Sequence, residues 1–357
     1  MSKKIYSLLA LLLLASLVLA ACGPAATEAP APAPEEPVAP PAAAFKACQV
    51  TDTGGVDDAS FNQTSWEGVL MAQRELGVEA KVLESQQQAD YERNINAFIE
   101  EGCDIIITVG FLLGDATAAM AEQNPDQKFS IVDYAYDPAY DNVLGLVFAT
   151  EEAAFLAGYA AAAVTQTGVV GTFGGIQIPP VTVFMDGFAM GVKYYNEQKG
   201  TDVRVVGWDP ETQTGSFTGN FESLDDGRAQ AEALMGEGAD IIMPVAGPVG
   251  LGTAAAAMEA GNVYIIGVDT DWTISSPEYR SITFTSVRKN MDVAVYESIE
   301  EVVNGTFAGG LFVGTLENDG VGLAPFHDLA GMVSAELQAE LDALQQEIIA
   351  GNIQVMP

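Results

Sequence analysis

The stretch DYERNINAFIEEGCDIIITVG at residues 90–110 decides the fold, because the chain repeats it as DGRAQAEALMGEGADIIMPVAG at residues 226–247. In each copy a helix-length segment ends near a glycine and leads into an apolar run, as expected for a helix followed by a buried strand. Three pairs of aspartates keep a constant offset of 136 residues: Asp90 and Asp226, Asp104 and Asp240, Asp133 and Asp269. The chain is therefore predicted to contain two halves of like topology.

Ten short runs read as strands, and most are separated by helix-length segments. They lie at residues 47–52, 80–85, 104–110, 128–133, 142–149, 168–175, 203–210, 239–247, 263–269 and 281–287. Helices are predicted at residues 63–76, 90–101, 114–123, 151–165, 182–198, 226–236, 249–260 and 289–304. Because the strand runs are apolar on both faces, they favour an α/β fold with two doubly wound parallel-sheet lobes.

The composition narrows the classes of function. The 357 residues carry 14 Lys and Arg against 49 Asp and Glu, a net charge of −35. Such a surface repels polyanions, so nucleic acid is a poor partner. The single histidine, His327, and the three cysteines argue against Ser-His-Asp catalysis, histidine-rich zinc sites and a multi-disulfide framework.

The N-terminus, MSKKIYSLLALLLLASLVLAAC, has the features of a secretory signal: two lysines, an apolar run and small residues before Cys22. A membrane-spanning anchor is the alternative, but the run from Leu8 to Ala21 is shorter than the roughly 20 residues that a span needs. The ending resembles a bacterial lipobox. We expect a signal peptide at 1–21, lipid attachment at Cys22, a Pro/Ala-rich linker over 22–44, and a protein anchored on the extracytoplasmic face of the cell membrane.

Aspartates follow three of the predicted strands. Asp52, Asp133 and Asp269 each end a strand run, and ligands of doubly wound sheets bind beyond the carboxyl ends of the strands. Helix capping is the alternative role for such a residue. Asp115, near the start of a predicted helix, competes with Asp133 for a binding role. The recurrence of the aspartates in both halves favours a polar cleft between two lobes.

The segment DTGGVDDASFNQTSWEG at residues 52–68 resembles the signature of the basic membrane protein family, which comprises substrate-binding lipoproteins of ABC transporters and includes purine nucleoside receptors. The resemblance continues through residues 109–116, 148–162, 174–192, 245–261, 265–271 and 285–299. It implies a type I periplasmic-binding-protein fold whose two lobes are joined by a hinge. We expect one lobe from 45–150 plus about 280–320, and the other from 151–279 plus about 321–357.

The resemblance implies a receptor that binds a nucleoside, a purine nucleoside first of all, and delivers it to an ABC permease in the membrane. The same receptor role for a sugar, riboflavin or another small aromatic metabolite is an alternative. An extracytoplasmic nucleoside hydrolase is a third interpretation, but the resemblance supports binding and no enzyme activity. No cofactor or metal is expected, since the acidic pairs Asp57-Asp58 and Asp225-Asp226 lack the spacing of a calcium-binding loop.

Two aromatic rings are expected to enclose the base. The resemblance assigns one to Phe61, and the second is predicted at Phe217, within a Gly/Thr/Ser-rich stretch. Either ring has the alternative role of a lid over the core. The family usually has Gln where this chain has Trp272, so Trp272 is a further candidate for stacking.

Polar candidates surround the predicted cleft. An ionised Asp269 is predicted to accept hydrogen bonds from the ribose diol, with Lys289 donating to a hydroxyl and balancing its charge. The alternative for Lys289 is an exposed helix lysine. Gly247 would let the backbone approach the sugar. The glycines around it superficially suggest a dinucleotide-binding loop, but their spacing is wrong for that motif. The edges of base or ribose are assigned to Asp52, Asn62 and Asp133.

Cys48 and Cys103 precede the first and third strand runs, which are neighbours in a sheet of order 2-1-3. Both cysteines should therefore lie near the same end of that sheet. A disulfide is compatible with an extracytoplasmic protein, but cross-strand geometry is restrictive. Two buried free thiols are favoured over the bond.

Overall fold

The structure is a computed structural model that describes residues 45–357. The expected signal peptide at 1–21, the linker at 22–44 and the lipid attachment at Cys22 lie outside the described residues. Across 45–357, none of the helices combines the length and apolarity that crossing a bilayer requires.

The described chain alternates strands and helices. The strands are β1 (Lys46–Val50), β2 (Glu79–Leu83), β3 (Ile105–Val109), β4 (Lys128–Val132), β5 (Val143–Phe148), β6 (Val169–Gly174), β7 (Arg204–Val206), β8 (Trp208–Asp209), β9 (Thr214–Gly215), β10 (Ile241–Val245), β11 (Tyr264–Asp269), β12 (Thr283–Lys289), β13 (Gly310–Gly314) and β14 (Val321–Leu323). The helices are α1 (Phe61–Leu76), α2 (Tyr91–Glu101), α3 (Gly114–Gln123), α4 (Thr150–Val164), α5 (Pro179–Lys199), α6 (Leu224–Gly236), α7 (Val249–Ala260), α8 (Trp272–Ser275), α9 (Met291–Val303) and α10 (Ala335–Ile349).

Two six-stranded sheets carry the fold, and they share one strand order. The first sheet is ordered β13-β5-β4-β3-β1-β2, and all its strands are parallel. The second is ordered β14-β12-β11-β10-β6-β7, with only β14 antiparallel. Strands β6, β7, β10, β11 and β12 thus take the places of β1 to β5, which confirms the two halves of like topology and the doubly wound parallel sheets.

Helices cover both faces of each sheet. In the first lobe α1 packs with α9, and α2 with α3; in the second, α4 packs with α5, and α6 with α7. Helices α4 and α5 approach closely because glycine replaces a side chain at the crossing. A Cβ at Gly158 would lie 2.0 Å from the carbonyl oxygen of Phe188, and one at Gly191 would lie 2.0 Å from that of Phe155.

Within residues 45–357 the chain crosses between the lobes three times: after β5, after β12 and between β13 and β14. Hydrogen bonds tie these crossings together, from Ala149 N to Gly314 O at 2.8 Å and from Asn290 N to Gly320 O at 2.9 Å. One predicted boundary needs correction. Strand β12 was assigned to the first lobe with residues 280–320, but it pairs with β11 and β14 in the second sheet, so the crossing follows Lys289.

Cys48 and Cys103 form a disulfide, with their Cα atoms 6.1 Å apart. The favoured expectation of two free thiols was therefore wrong. That expectation applied the restrictive geometry of a bond between neighbouring strands. Cys103 lies in the turn between α2 and β3, and from there its side chain reaches Cys48 on β1.

Candidate functional site

A cavity that is partly open to solvent lies between the carboxyl ends of the two sheets. This is where ligands of doubly wound sheets bind. Seven of the eight residues predicted for the site line it: Asp52, Phe61, Asn62, Asp133, Gly247, Asp269 and Lys289. The eighth, Phe217, does not.

The start of α1 is fixed by Asp58, which also lines the cavity. Its carboxylate accepts hydrogen bonds from the backbone N–H groups of Ser60, Asn62 and Gln63 at 2.8 to 3.0 Å. It thereby satisfies N–H groups that a helix N-terminus leaves without partners. Burial raises the pKa of Asp58 to about 6, although these donors oppose the shift. The result is a rigid turn that places Phe61 and Asn62 against the cavity.

Asp52 and Asn62 contribute polar groups to the side of the cavity that the first lobe forms. Asn62 Nδ2 donates to Asp52 Oδ1 at 2.8 Å, while the buried Asn62 Oδ1 has no partner among the described residues. Burial raises the pKa of Asp52, and the nearby Asp133 carboxylate adds to the rise. An unpaired buried acceptor is costly, so Asn62 Oδ1 is suited to accept an N–H or O–H from a bound molecule.

Asp133 and Asp269, the repeat-related pair, have the same unusual backbone. Their φ angles are 66° and 68°, in the left-handed region that few residues other than glycine adopt. Asp133 directly follows β4, and Asp269 is the last residue of β11, the equivalent strand of the second sheet. In both places the left-handed turn directs the chain away from the strand. Such strain is found where surrounding structure enforces it, often at binding sites. The internal repeat therefore extends to the cavity itself.

Lys289 lies at the end of β12 and is 2% exposed, so the alternative of an exposed helix lysine is wrong. Its Nζ is 2.6 Å from Asp133 Oδ2 of the first lobe. The ammonium also lies 4.8, 5.5 and 5.9 Å from the ring centres of Phe61, Phe148 and Phe184. Both kinds of contact stabilise a buried positive charge.

Two side-chain contacts join the lobes across the cavity. One is the Lys289–Asp133 pair, and the other is the hydrogen bond from Ser60 Oγ to Asp269 Oδ2 at 2.8 Å. Burial raises the pKa of Asp133 and Asp269, and the charge of Lys289 opposes the rise at both. With four carboxyl groups and one ammonium, the cavity presents many acceptors and an excess of negative charge. It suits a ligand with N–H and O–H donors and disfavours an anion.

The second aromatic ring of the cavity is Phe221, four residues beyond the predicted Phe217. Phe217 instead packs edge-on against Trp208, with ring centres 5.8 Å apart. Both phenylalanines lie in the same Gly/Asn/Thr-rich stretch, so composition alone could not choose between them. Phe184, near the start of α5, and Phe111, two residues after β3, are two further rings of the cavity that sequence reasoning missed. The signal of Phe184 was hidden because it reads as an ordinary core position of an amphipathic helix.

Trp272 is no part of the cavity. It is 1% exposed, and its Nε1 donates to the carbonyl oxygen of Val268 at 3.0 Å. The expectation that it stacks on a ligand was wrong, because the first turn of α8 directs the ring into the core of the second lobe. Asp115 lies in the first turn of α3, in agreement with its alternative role as a residue at a helix start. Asp133, its rival for a binding role, lines the cavity.

Two doubly wound lobes around a polar and aromatic cleft define the class of two-lobed solute-binding proteins. The model of a family described as "ABC transporter substrate-binding protein PnrA-like" matches residues 45–356. The chain belongs to this family, and it is a substrate-binding protein of an ABC transporter.

Named relatives agree with this assignment. Basic membrane protein A of Borreliella burgdorferi is 34% identical over 84% of this chain and 84% of the relative. "ABC transporter nucleoside-binding protein BmpA" of Lactococcus lactis subsp. cremoris is 32% identical over 85% of this chain and 88% of the relative. A crystal structure of an ABC transporter solute-binding protein from Aeropyrum pernix K1 superposes with a TM-score of 0.78 at 30% identity, covering 87% of this chain and 92% of that one. The resemblance to the basic membrane protein family and the expected type I fold are confirmed.

Proposed function

We propose that the protein binds a nucleoside in the cavity between its lobes and delivers it to a membrane permease. The relative from Lactococcus lactis is named as nucleoside-binding. We further propose lipid anchoring through Cys22, with which the name of a 30% identical lipoprotein relative from Pyrococcus abyssi is consistent. The anchor would hold the receptor at the outer face of the membrane, where the ABC permease can receive its ligand.

The observation that carries the proposal is the pairing of aromatic rings with buried acceptors in one cavity. Phe61 and Phe221 provide flat apolar surfaces for a base, and stacking of this kind contributes about 1–3 kcal/mol per base in nucleic-acid binders. Asp269 provides an acceptor for the ribose diol. Its Oδ2 is held by Ser60, and its Oδ1 has no hydrogen-bond partner among the described residues.

The remaining polar groups have complementary roles. Lys289 is placed to donate to a ribose hydroxyl while keeping its contact with Asp133. Asn62 Oδ1 and Asp52 would read donors on the base edge, and Gly247, with φ of 53°, keeps that wall of the cavity clear of a side chain. The excess of carboxyl groups favours a neutral nucleoside over a nucleotide, whose phosphate would be repelled.

Calorimetric titration of the protein without residues 1–21 tests the proposal. Inosine, guanosine, adenosine and cytidine should bind, whereas guanosine 5′-monophosphate should bind at least about tenfold more weakly than guanosine because of the buried carboxylates. Ribose and riboflavin test the alternative ligands, a sugar and a flavin. Tight binding of ribose or riboflavin without binding of any nucleoside would refute the nucleoside assignment.

Incubation with the nucleoside that binds best separates a receptor from a hydrolase. A receptor returns the nucleoside intact, and chromatography should show no free base beyond that in a protein-free control. Free base that increases in proportion to protein concentration would support an enzyme instead.

A further inference from the structure

The second lobe contains a segment that the first lobe lacks. The constant offset between the halves breaks down because extra residues lie near 211–225. Strands β8 and β9 form a small antiparallel hairpin there, apart from both large sheets. The same segment then carries Phe217 and Phe221 to the cavity side of the lobe. We call residues 207–221 the hairpin segment.

A buried carboxylate anchors the hairpin segment. Asp186, on the inner face of α5, is 2% exposed, and its Oδ1 accepts two hydrogen bonds. Trp208 Nε1 donates at 2.8 Å from one strand of the hairpin, and Gln213 Nε2 donates at 2.9 Å from its turn. One oxygen atom therefore fixes both ends of the hairpin on α5.

The anchor is costly, which sets it apart from ordinary core packing. The donors to Asp186 are the neutral side chains of Trp208 and Gln213, no cation pairs with it among residues 45–357, and burial raises its pKa. A buried carboxylate without a cation is unfavourable unless its hydrogen bonds compensate. An apolar side chain would fill this space at lower cost if the only requirement were a stable lobe.

Contacts continue from the anchor to the cavity. The Trp208 ring packs edge-on against Phe217. The backbone on either side of Phe217 bonds to the end of β6, from Gly174 N to Ser216 O at 3.0 Å and from Thr218 N to Gly174 O at 3.1 Å.

Phe221 rests on the next residue of the chain after β6. A Cβ at Gly175 would lie 2.3 Å from the Phe221 ring, so only glycine lets the ring occupy this position. The position of the ring is thus determined by how the hairpin segment sits on α5 and β6.

We propose that Asp186 is a positioning residue: it holds the hairpin segment so that Phe221 forms the second aromatic wall of the cavity, and it thereby sets the preference for ligands with a flat ring. This role rests on the proposed binding of a nucleoside. Asp186 touches no ligand itself and acts through Trp208, Gln213 and Phe221.

A double-mutant cycle with inosine as the probe tests the coupling. Asp186→Ala should weaken inosine binding about tenfold, and Phe221→Ala should weaken it by a similar factor. If Asp186 acts through Phe221, the double variant should bind as weakly as Phe221→Ala alone, within about twofold. The proposal would be overturned if the affinity losses of the two single variants multiplied in the double variant. An Asp186→Ala variant with unchanged affinity would also overturn it.

Two further variants separate positioning from general destabilisation. Asp186→Asn keeps the Oδ1 acceptor and should restore most of the affinity. Asp240→Ala is the matched control, because Asp240 is a buried carboxylate of the same lobe that accepts three hydrogen bonds, from Thr165 Oγ1 and from the backbone N–H groups of Gln166 and Thr167. It lies at the amino end of β10, away from the cavity, so its loss should not couple to Phe221→Ala. Equal coupling for Asp240→Ala would contradict a specific role for Asp186.

Hydrogen exchange of the backbone amides provides a readout that needs no ligand. Asp186→Ala should speed exchange in residues 207–221 while leaving β10 and β11 unchanged, and Asp186→Asn should resemble the wild type. If Asp186→Ala does not fold, Gln213→Ala, which removes one donor from a mostly exposed turn, should give a smaller increase in the same segment. Unchanged exchange in that segment would refute the anchor. Wild-type protein that binds none of the nucleosides would refute the nucleoside proposal alone, and hydrogen exchange would still test the anchor.

Discussion

Asp269 combines burial, a left-handed backbone and a hydrogen bond from Ser60, so only one of its carboxylate oxygens remains for a ligand. Replacing it with alanine removes a charged acceptor, and we expect nucleoside binding to weaken by at least about 1 kcal/mol. Calorimetry of Asp269→Ala measures the loss, and thermal unfolding checks that the fold is intact. An unchanged affinity would refute the assigned role.

Acid should weaken the same interaction. Burial raises the pKa of Asp269, so the carboxyl becomes protonated at a higher pH than an ordinary aspartate, and a protonated group is a poorer acceptor. Affinity should therefore fall as the pH is lowered from 7 towards 4. In Asp269→Asn this acid-dependent loss should be smaller than in the wild type. Titrations at several pH values would contradict the role if both proteins lost affinity in parallel.

Phe61 offers a direct test of stacking. Phe61→Ala should weaken binding of a nucleoside by about 1–3 kcal/mol, because the variant loses one face of the base contact. Phe307→Ala serves as the control, since Phe307 is a partly buried ring that packs near Lys128, outside the cavity. Equal losses in the two variants would argue against a specific stacking role.

At the scale of elements, the sequence predicted the strands well because each is a short apolar run bounded by helix-length segments. Each of the ten predicted runs overlaps a strand, and 203–210 contains two, β7 and β8. Strand β13 was missed, since GLFVG is short, begins and ends in glycine, and leaves Leu311 and Val313 exposed. Helix α10 was missed because it lies beyond the last repeated unit, although AELQAELDALQQEII has helical spacing of its apolar residues.

The site was predictable only where the internal repeat or a family motif constrains the chain. Asp133 and Asp269 were found because the repeat places them at equivalent strand ends, and Phe61 because a motif resembles a family signature. Phe221 was not, since the segment that carries it has no counterpart in the first half. Where neither repeat nor motif constrains the chain, only tertiary contacts such as those of Asp186 decide which ring reaches the cavity.

The disulfide joins β1 to the turn before β3 and closes a loop of 55 residues. In the chain-entropy description, such a bridge stabilises the folded state by about 4 kcal/mol. Replacing both cysteines with alanine should lower the free energy of unfolding by about that amount, measured with urea. Alkylation of the native protein without reductant should label neither Cys48 nor Cys103, and two labelled thiols would exclude the bond.

At the scale of the whole molecule, Lys289 and Asp133 link the lobes through a buried ion pair. Lys289→Met would leave the Asp133 carboxylate buried without its cation, and removing one partner of such a pair typically costs about 3–5 kcal/mol. Adding Asp133→Asn removes the buried carboxylate that has lost its cation, so the double variant should recover much of the lost stability. Urea unfolding at neutral pH measures both. A double variant no more stable than Lys289→Met would show that the pair is not the cause.

The same buried carboxyls predict how stability depends on pH. Burial raises the pKa of Asp52, Asp133 and Asp269 in the folded protein. Folding then favours their protonated forms, so their contribution to stability is full below the unfolded pKa and is lost as the pH rises through the folded pKa. The net charge of −35 acts in the same direction, because protonation relieves repulsion within the compact state.

Ion pairs on the surface have the opposite effect on how stability depends on pH. Ion pairs lower the pKa of Glu101 and Glu259, and their contribution is lost as the pH falls, but both groups are exposed and contribute little. The melting temperature should therefore be higher near pH 5 than at pH 8. Added salt should raise it at pH 8 by screening repulsion. Scanning calorimetry at both pH values, with and without salt, would contradict this account if stability rose steadily with pH, because paired surface carboxylates would then dominate over the buried ones.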